Sequence, residues 1–306
     1  MHDHDEAERW IRTRVEPAGP IVVAHERPWS TVLRVPLAGG VAWFKACAPV
    51  QAFEPRLTAE LFARWPDRVA AVLAHDEPRA WLLLADAGAT VGAAANPPEA
   101  WLEALPLYAE LQRGEQAHAA EHVERGVPAL PVPDLPARYA ELFERELPLE
   151  RHELARLRDF APRFEWICDA LATDGVPATV QHDDLHMANL YERGGRYRIL
   201  DWGDCSISHP FFSLVVTFRF LEELSGLEPG DPWLARLRDA YLEPWGRGLV
   251  DAFELAHGVG HVAHAIAWAR QRDFLPAAER PTFDRGFALV LRRTLRATYA
   301  DDRRSG

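Results

Sequence analysis

Hydrophobic periodicity shifts along this chain from mostly strand-like to mostly helical, and the shift sets the architecture it can adopt. Residues 20–47 alternate at a spacing of two: Pro20-Ile21-Val22-Val23-Ala24, then Ser30-Thr31-Val32-Leu33-Arg34-Val35, then 41–47 after the Gly39-Gly40 turn. Alternation punctuated by turn residues marks short, half-buried strands. Phe53, Leu57, Leu61 and Phe62 return at helical spacing, and 70–74 and 81–84 read as a further strand pair. Residues 85–97, rich in Ala, Gly, Asn and Pro, read as a linker. From Pro98 onward the spacing is mostly helical, with prolines clustered at 128–136. The expected class is therefore α+β, with a strand-rich lobe over 1–88 and a larger, mainly helical lobe over 89–306.

One region interrupts the helical trend. Gly175-Val176-Pro177-Ala178-Thr179-Val180 reads as a turn and a short strand, and it leads into Gln181-His182-Asp183-Asp184-Leu185-His186-Met187-Ala188-Asn189-Leu190. A hairpin follows, turning at Gly194-Gly195 and returning through Arg196-Tyr197-Arg198-Ile199-Leu200 to Asp201-Trp202-Gly203-Asp204. Antiparallel pairing would bring Asn189 close to Asp201. Two hard oxygen donors would then lie beside a third carboxylate, Asp184. Donors of this kind suit Mg²⁺, which shares its shell with waters and phosphates. Asp184 would be left to take a proton from a hydroxyl nucleophile.

A count points the same way. The chain has 34 Lys+Arg, of which one is lysine (Lys45) and 34 − 1 = 33 are arginine. Lys45 sits in the apolar run Val41-Ala42-Trp43-Phe44-Lys45-Ala46-Cys47. A compact ammonium and a planar guanidinium are not interchangeable at a site, so the lone lysine is a candidate for a phosphate or carboxylate contact. The formal charge of −12 and the lack of a basic stripe argue against nucleic acid. Apolar stretches are broken by charge before 18 residues, so no membrane span is expected. The acidic start, Met1-His2-Asp3-His4-Asp5-Glu6, has no apolar signal core. Three widely spaced cysteines, Cys47, Cys168 and Cys205, suit a reducing cytosol, so a cytoplasmic location is expected.

The strings His182-Asp183-Asp184-Leu185-His186-Met187-Ala188-Asn189 and Leu200-Asp201-Trp202-Gly203-Asp204 resemble the two motifs of the aminoglycoside phosphotransferase and choline kinase-like family, H-G-D-L-H-x-x-N and I-D-W-x-D. Asp183 for Gly and Leu200 for Ile are the departures. The resemblance implies a two-lobe protein kinase-like fold that moves the γ-phosphoryl of ATP or GTP to a hydroxyl of a small molecule. It makes Asp184 the catalytic base, assigns Mg²⁺ to Asn189 and Asp201, and puts Lys45 on the α/β-phosphates. Glu54, at the start of the helix after the Lys45 strand, is the expected partner of Lys45, with Glu60 on the same helix as the alternative. Ser30 and Thr31 stand where a glycine-rich loop would cover phosphates. Leu84-Ala85-Asp86-Ala87 resembles the segment that holds adenine. His182 is implied to order the loop, and His209 stands before Pro210 where many relatives carry Asp.

Other readings are open at this stage. The acidic balance suits a cationic acceptor such as an aminoglycoside, and a metabolic kinase of an amino alcohol or sugar is the neighbouring alternative. A nucleotide-binding pseudokinase is a third. His182 and His186 among carboxylates also resemble a metal-dependent hydrolase site. His257, His261 and His264 share one helix face, where core or pocket lining is expected rather than a metal.

Overall fold

The computed structural model describes residues 4–300, with side chains through 295; Met1, His2 and Asp3 of the acidic start lie outside the described residues. Helix α1 (His4–Arg12) precedes strands β1 (Val22–Arg27), β2 (Ser30–Leu37) and β3 (Gly40–Cys47). Helix α2 (Glu54–Arg64) and strands β4 (Val72–Asp76) and β5 (Trp81–Ala85) complete the first lobe. Its five strands form one antiparallel sheet in the order β1-β2-β3-β5-β4.

The register of this sheet sorts its residues onto two faces, because directly paired residues point the same way. Thr31, Leu33 and Val35 pair with Ala46, Phe44 and Ala42. That face is buried under α1, where the rings of Trp10, Phe44 and Trp81 meet at centroid distances of 5.5 to 5.8 Å. Edge-on and tilted aromatic pairs of this kind add about 0.5–1.5 kcal/mol each beyond the area they bury. The opposite face carries Ser30, Val32, Lys45 and Leu82, paired in register through β3. This second face looks toward the rest of the molecule.

The remaining elements are β6 (Ala89–Thr90), α3 (Pro98–Glu115), α4 (Ala119–Glu124), α5 (Leu135–Leu142), α6 (Arg151–Leu171), β7 (Thr179–Gln181), β8 (Leu190–Glu192), β9 (Tyr197–Ile199), β10 (Ser206–Ser208), α7 (Leu214–Ser225), α8 (Pro232–Leu242), α9 (Val250–Phe274) and α10 (Arg280–Ala300). Residues 85–97 are more structured than the linker their composition suggests. β6 pairs with β8 of the hairpin, and the Thr90 hydroxyl caps the 3-10 turn Val91–Ala94 by accepting the Ala93 N–H. Tertiary pairing overrides the local composition there. Helix α6 starts on a reciprocal cap between Glu150 and Glu153, and α8 on the Asp231 side chain followed by Pro232.

A buried strut ties the lobes together. Glu115 on α3 accepts from Arg64 Nη2 at 2.6 Å and from Trp65 Nε1 at 2.6 Å, and His122 Nε2 lies 2.8 Å away. Burial works against its ionisation. The three hydrogen-bonding partners and the Arg64 charge win, and hold the carboxyl at about 2. Among the described residues, no helix is long and apolar enough to cross a membrane.

Candidate active site

The polar string between β7 and β8 folds into a loop ordered by His182. Its Nε2–H donates to the Leu200 carbonyl at 2.9 Å, and its Nδ1 accepts the Asp184 N–H at 3.3 Å. Burial lowers the imidazole pKa, which keeps the ring in the neutral form that this donor–acceptor pair requires. Asp183 adopts φ = 62°, the left-handed region that the glycine of the family motif would occupy without strain. Aspartate tolerates that conformation better than most residues. Here its carboxylate is anchored by Gln181 Nε2 at 3.2 Å and lies 3.3 Å from His264 Nδ1.

Asp184, Asn189 and Asp201 converge as the hairpin geometry predicts. The Asn189 carbonyl accepts the Leu200 N–H at 3.0 Å, so the two strands bring Asn189 alongside the residue that precedes Asp201. Asn189 Nδ2 donates to the Asp184 carbonyl at 2.9 Å and to Asp184 Oδ2 at 3.2 Å. The same Oδ2 lies 3.2 Å from His186 Nε2. Asp201 is held at φ = 66°, and its side chain is 51% exposed.

Lys45 reaches this cluster from the sheet. Its Nζ lies 2.6 Å from Glu54 Oε2 and 2.5 Å from Asp201 Oδ1, although 156 residues separate it from Asp201. The Cys47 thiol donates to the same Glu54 oxygen at 3.3 Å. Burial would push Lys45 toward neutrality, yet Asp201 and Glu54 raise its pKa well above the ordinary value. Glu54 is shifted up, because burial outweighs the Lys45 charge, whereas Asp201 is held down by Lys45 against its own desolvation. Gly203 lets the second motif approach the Gln51–Glu54 segment this closely. A Cβ there would stand 2.7 Å from both Glu54 Oε2 and Gln51 Cδ.

The structure distinguishes the two candidate glutamates. Glu60 is engaged by Arg56 at 3.0 Å and by Arg125, so Glu54 is the one that meets Lys45. It also distinguishes Ser30 from Thr31. Ser30 pairs with Cys47 and shares the Lys45 face, whereas Thr31 pairs with Ala46 on the face covered by α1. In the 84–87 segment, the Asp86 carbonyl accepts from Arg193 at 3.0 Å and its carboxylate from Trp43 Nε1 at 3.3 Å. Leu82, Leu84 and Ala87 form a small apolar cluster there with Tyr191 and Leu200 of the hairpin.

A family model described as the phosphotransferase enzyme family matches residues 21–253, which span both lobes and every group just described except His264. The chain belongs to the phosphotransferase enzyme family. No curated protein matches it. This phosphotransferase is similar in fold to the GDP complex of aminoglycoside 2'-phosphotransferase-IIIa, at 16% identity and a TM-score of 0.62, covering 95% of this chain and 97% of that one. It is also similar to a choline/ethanolamine kinase family protein from Mesorhizobium loti, at 16% identity and a TM-score of 0.55, covering 96% and 98%. A third neighbour is an amicoumacin kinase in complex with AMP-PNP, Ca²⁺ and Ami, at 12% identity and a TM-score of 0.57, covering 96% and 97%. The fold is protein kinase-like, and the protein is a small-molecule kinase.

The structure of this phosphotransferase adds residues that sequence reasoning missed. Gln51 Nε2 donates to Asp204 Oδ1 at 3.0 Å, and Gln271 Nε2 donates to the same oxygen. His186 is in contact with Asp184, and its ring lies 4.8 Å from that of Phe220 on α7. Of these, His186 and Asp204 carried a signal, as members of the two motifs. His209 does the capping expected of an aspartate: its Nδ1 accepts the Phe211 N–H at 3.3 Å while Nε2 sits 2.9 Å from Asp174. Among the described residues, no three His, Cys, Asp or Glu side chains are grouped to hold a metal.

Proposed function

We propose that this phosphotransferase moves the terminal phosphoryl group of ATP or GTP to a hydroxyl of a small molecule, with Asp184 as base and Mg²⁺ held by Asn189 and Asp201. The observation that carries the reading is the contact of the chain's one lysine with Asp201, which the hairpin sets next to the paired Asn189 and Asp184. The donor set fits a hard divalent ion. Asn189 directs its amide N–H groups to Asp184, which leaves its oxygen for a cation, and half-exposed Asp201 already holds the Lys45 ammonium. When bound, Mg²⁺ would supply positive charge against the phosphate oxygens as transfer proceeds.

The protein groups do the rest by position. Lys45, fixed by Glu54, presents an ammonium to the α/β-phosphates, and Ser30 offers a hydroxyl on the same face. Asp184 aligns the acceptor hydroxyl and takes its proton. His186 and Asn189 steady the carboxylate while one oxygen stays free for the acceptor. The GDP and AMP-PNP complexes of the structural neighbours support a nucleotide donor. A nucleotide donor and three free cysteines support the cytosol as the place of reaction.

The test is transfer of radiolabelled γ-phosphate to a panel of hydroxyl compounds, corrected for hydrolysis by water. Transfer should require Mg²⁺ or Mn²⁺, stop with EDTA and survive a zinc-selective chelator. Stoichiometric zinc in active protein would instead favour a hydrolase.

A further inference from the structure

The charge of −12 suggests a cationic acceptor, and Asp183, Asp201 and Asp204 lie near Asp184, but a neighbouring helix brings a cation to the same loop. Helix α7 packs on the catalytic loop, where the Thr217 hydroxyl donates to the Leu185 carbonyl at 2.7 Å and the Phe220 ring lies against His186. Arg219 is the next residue on that helix, its guanidinium carbon 4.2 Å from the Phe220 ring centre. Its Nε is buried without a hydrogen-bond partner, and among the described residues no carboxylate lies within ion-pair distance of it. The nearby Glu223 is engaged by Arg293. Burial and the Arg293 charge both lower the Arg219 pKa, and the Glu223 and Asp184 charges act on it in the other direction.

Helix α9 also meets the loop. His264 is spent on Asp183 through Nδ1, while its Nε2 is buried and unpartnered, and the ring side is closed by Trp268 at 6.0 Å. Arg219 is half-buried, with its Nε enclosed and unpartnered and no ion pair to its charge among the described residues, and enclosed charges are normally paired. The missing partner is thus to be sought in a ligand. We propose that the acceptor of this kinase is a hydroxyl compound carrying a carboxylate or phosphate, and that Arg219 binds that anionic group while Asp184 engages the hydroxyl. The proposal rests on the phosphotransfer reading above and names the acceptor class for the same site.

Matched acceptors test it. Gluconate and sorbitol, and glycerate and glycerol, differ mainly by a carboxylate; glycerol 3-phosphate supplies the phosphate arm, and kanamycin and choline the cationic one. Affinity is measured by calorimetry on protein loaded with Mg²⁺ and AMP-PNP, and turnover with Mg-ATP. The anionic members should bind at least about 10-fold more tightly than their neutral counterparts, in line with a hydrogen bond to a charged group. Arg219→Gln should abolish that difference, and Arg219→Lys should restore part of it. The carboxylate and phosphate members show which anion Arg219 prefers.

Melting temperature and AMP-PNP affinity report folding and the donor side in each variant. A shift in AMP-PNP affinity in Arg219→Gln would place Arg219 on the donor and overturn the proposal. So would equal binding of anionic and neutral members, absence of binding by all of them, or turnover of kanamycin or choline that Arg219→Gln leaves unchanged. Failure of the wild-type protein to bind Mg²⁺-nucleotide would instead overturn the kinase reading itself.

Discussion

The surroundings of Lys45, the proposed donor side, and of Arg219, the proposed acceptor side, are built on opposite principles. Around Lys45 the buried polar groups are paired at short range: ammonium to Glu54 and Asp201, and thiol to Glu54. Around Arg219 and His264, buried nitrogens have no partner in the protein. A site for a nucleoside triphosphate can be assembled in advance, because phosphates and a divalent ion present the same charges at every turnover. A site for one acceptor keeps its unsatisfied groups for the ligand that selects it. On the acceptor proposal, specificity is held on α7 and α9 rather than in the motifs.

The largest expected effect breaks the comparison at its centre. Asp184→Ala should lower kcat by about 10²–10⁴ while nucleotide binding persists, since it removes the base and leaves the donor contacts intact. Single-turnover transfer with bound nucleotide checks this, and near-normal turnover would remove Asp184 from the chemistry. Lys45→Arg probes the donor side alone. The guanidinium is too large and planar for a slot between two carboxylate oxygens at 2.6 and 2.5 Å. A loss of about 100-fold in kcat/KM for ATP is expected, the scale of an ångström-level misplacement. Acceptor affinity in that variant should stay near the parent value.

A third test asks whether the two sides depend on lobe docking. The Glu115 carboxyl sits at about 2 in the folded protein against an ordinary value of 4.5. A depressed carboxyl stabilises the fold above its ordinary value, and the contribution is lost as pH falls toward 2. The amount is about 3 kcal/mol, at 1.36 kcal/mol for each tenfold change in proton affinity. Chemical denaturation from pH 5.5 down to pH 2.5 should show this loss, and Glu115→Gln should flatten that part of the profile. The smallest effect is expected from Gly203→Ala. Its methyl would meet Glu54 and Gln51, forcing them to shift at a cost of about 1–3 kcal/mol in stability. Its ATP KM should rise by about tenfold, the equivalent of 1.4 kcal/mol, with acceptor binding unaffected.

Much of the donor side was legible because its parts are local. Asn189 and Asp201 flank one hairpin, so the strand register alone sets them side by side. Lys45 was marked by its chemical isolation among 33 arginines, and Glu54 by opening the next helix. The linker reading of 85–97 failed because β6 exists only through its pairing with β8. Helix α1 went unread, and its burial of Trp10 depends on the sheet it covers. The acidic balance leaves the acceptor open, because net charge averages over a surface while a ligand meets a few side chains.

The sequence by itself therefore determined the two-lobe class, the catalytic loop and the pairing of its hairpin residues, since hydrophobic period and strand register act over a few residues. Tertiary structure decided which glutamate meets Lys45, which face of β2 looks into the cleft, and that Arg219 is left without a counter-charge beside the loop. Those outcomes depend on contacts such as Lys45 to Asp201 and His264 to Asp183, 156 and 81 residues apart. No local pattern encodes them, because they are fixed only when the lobes pack and each buried charge finds, or fails to find, a partner.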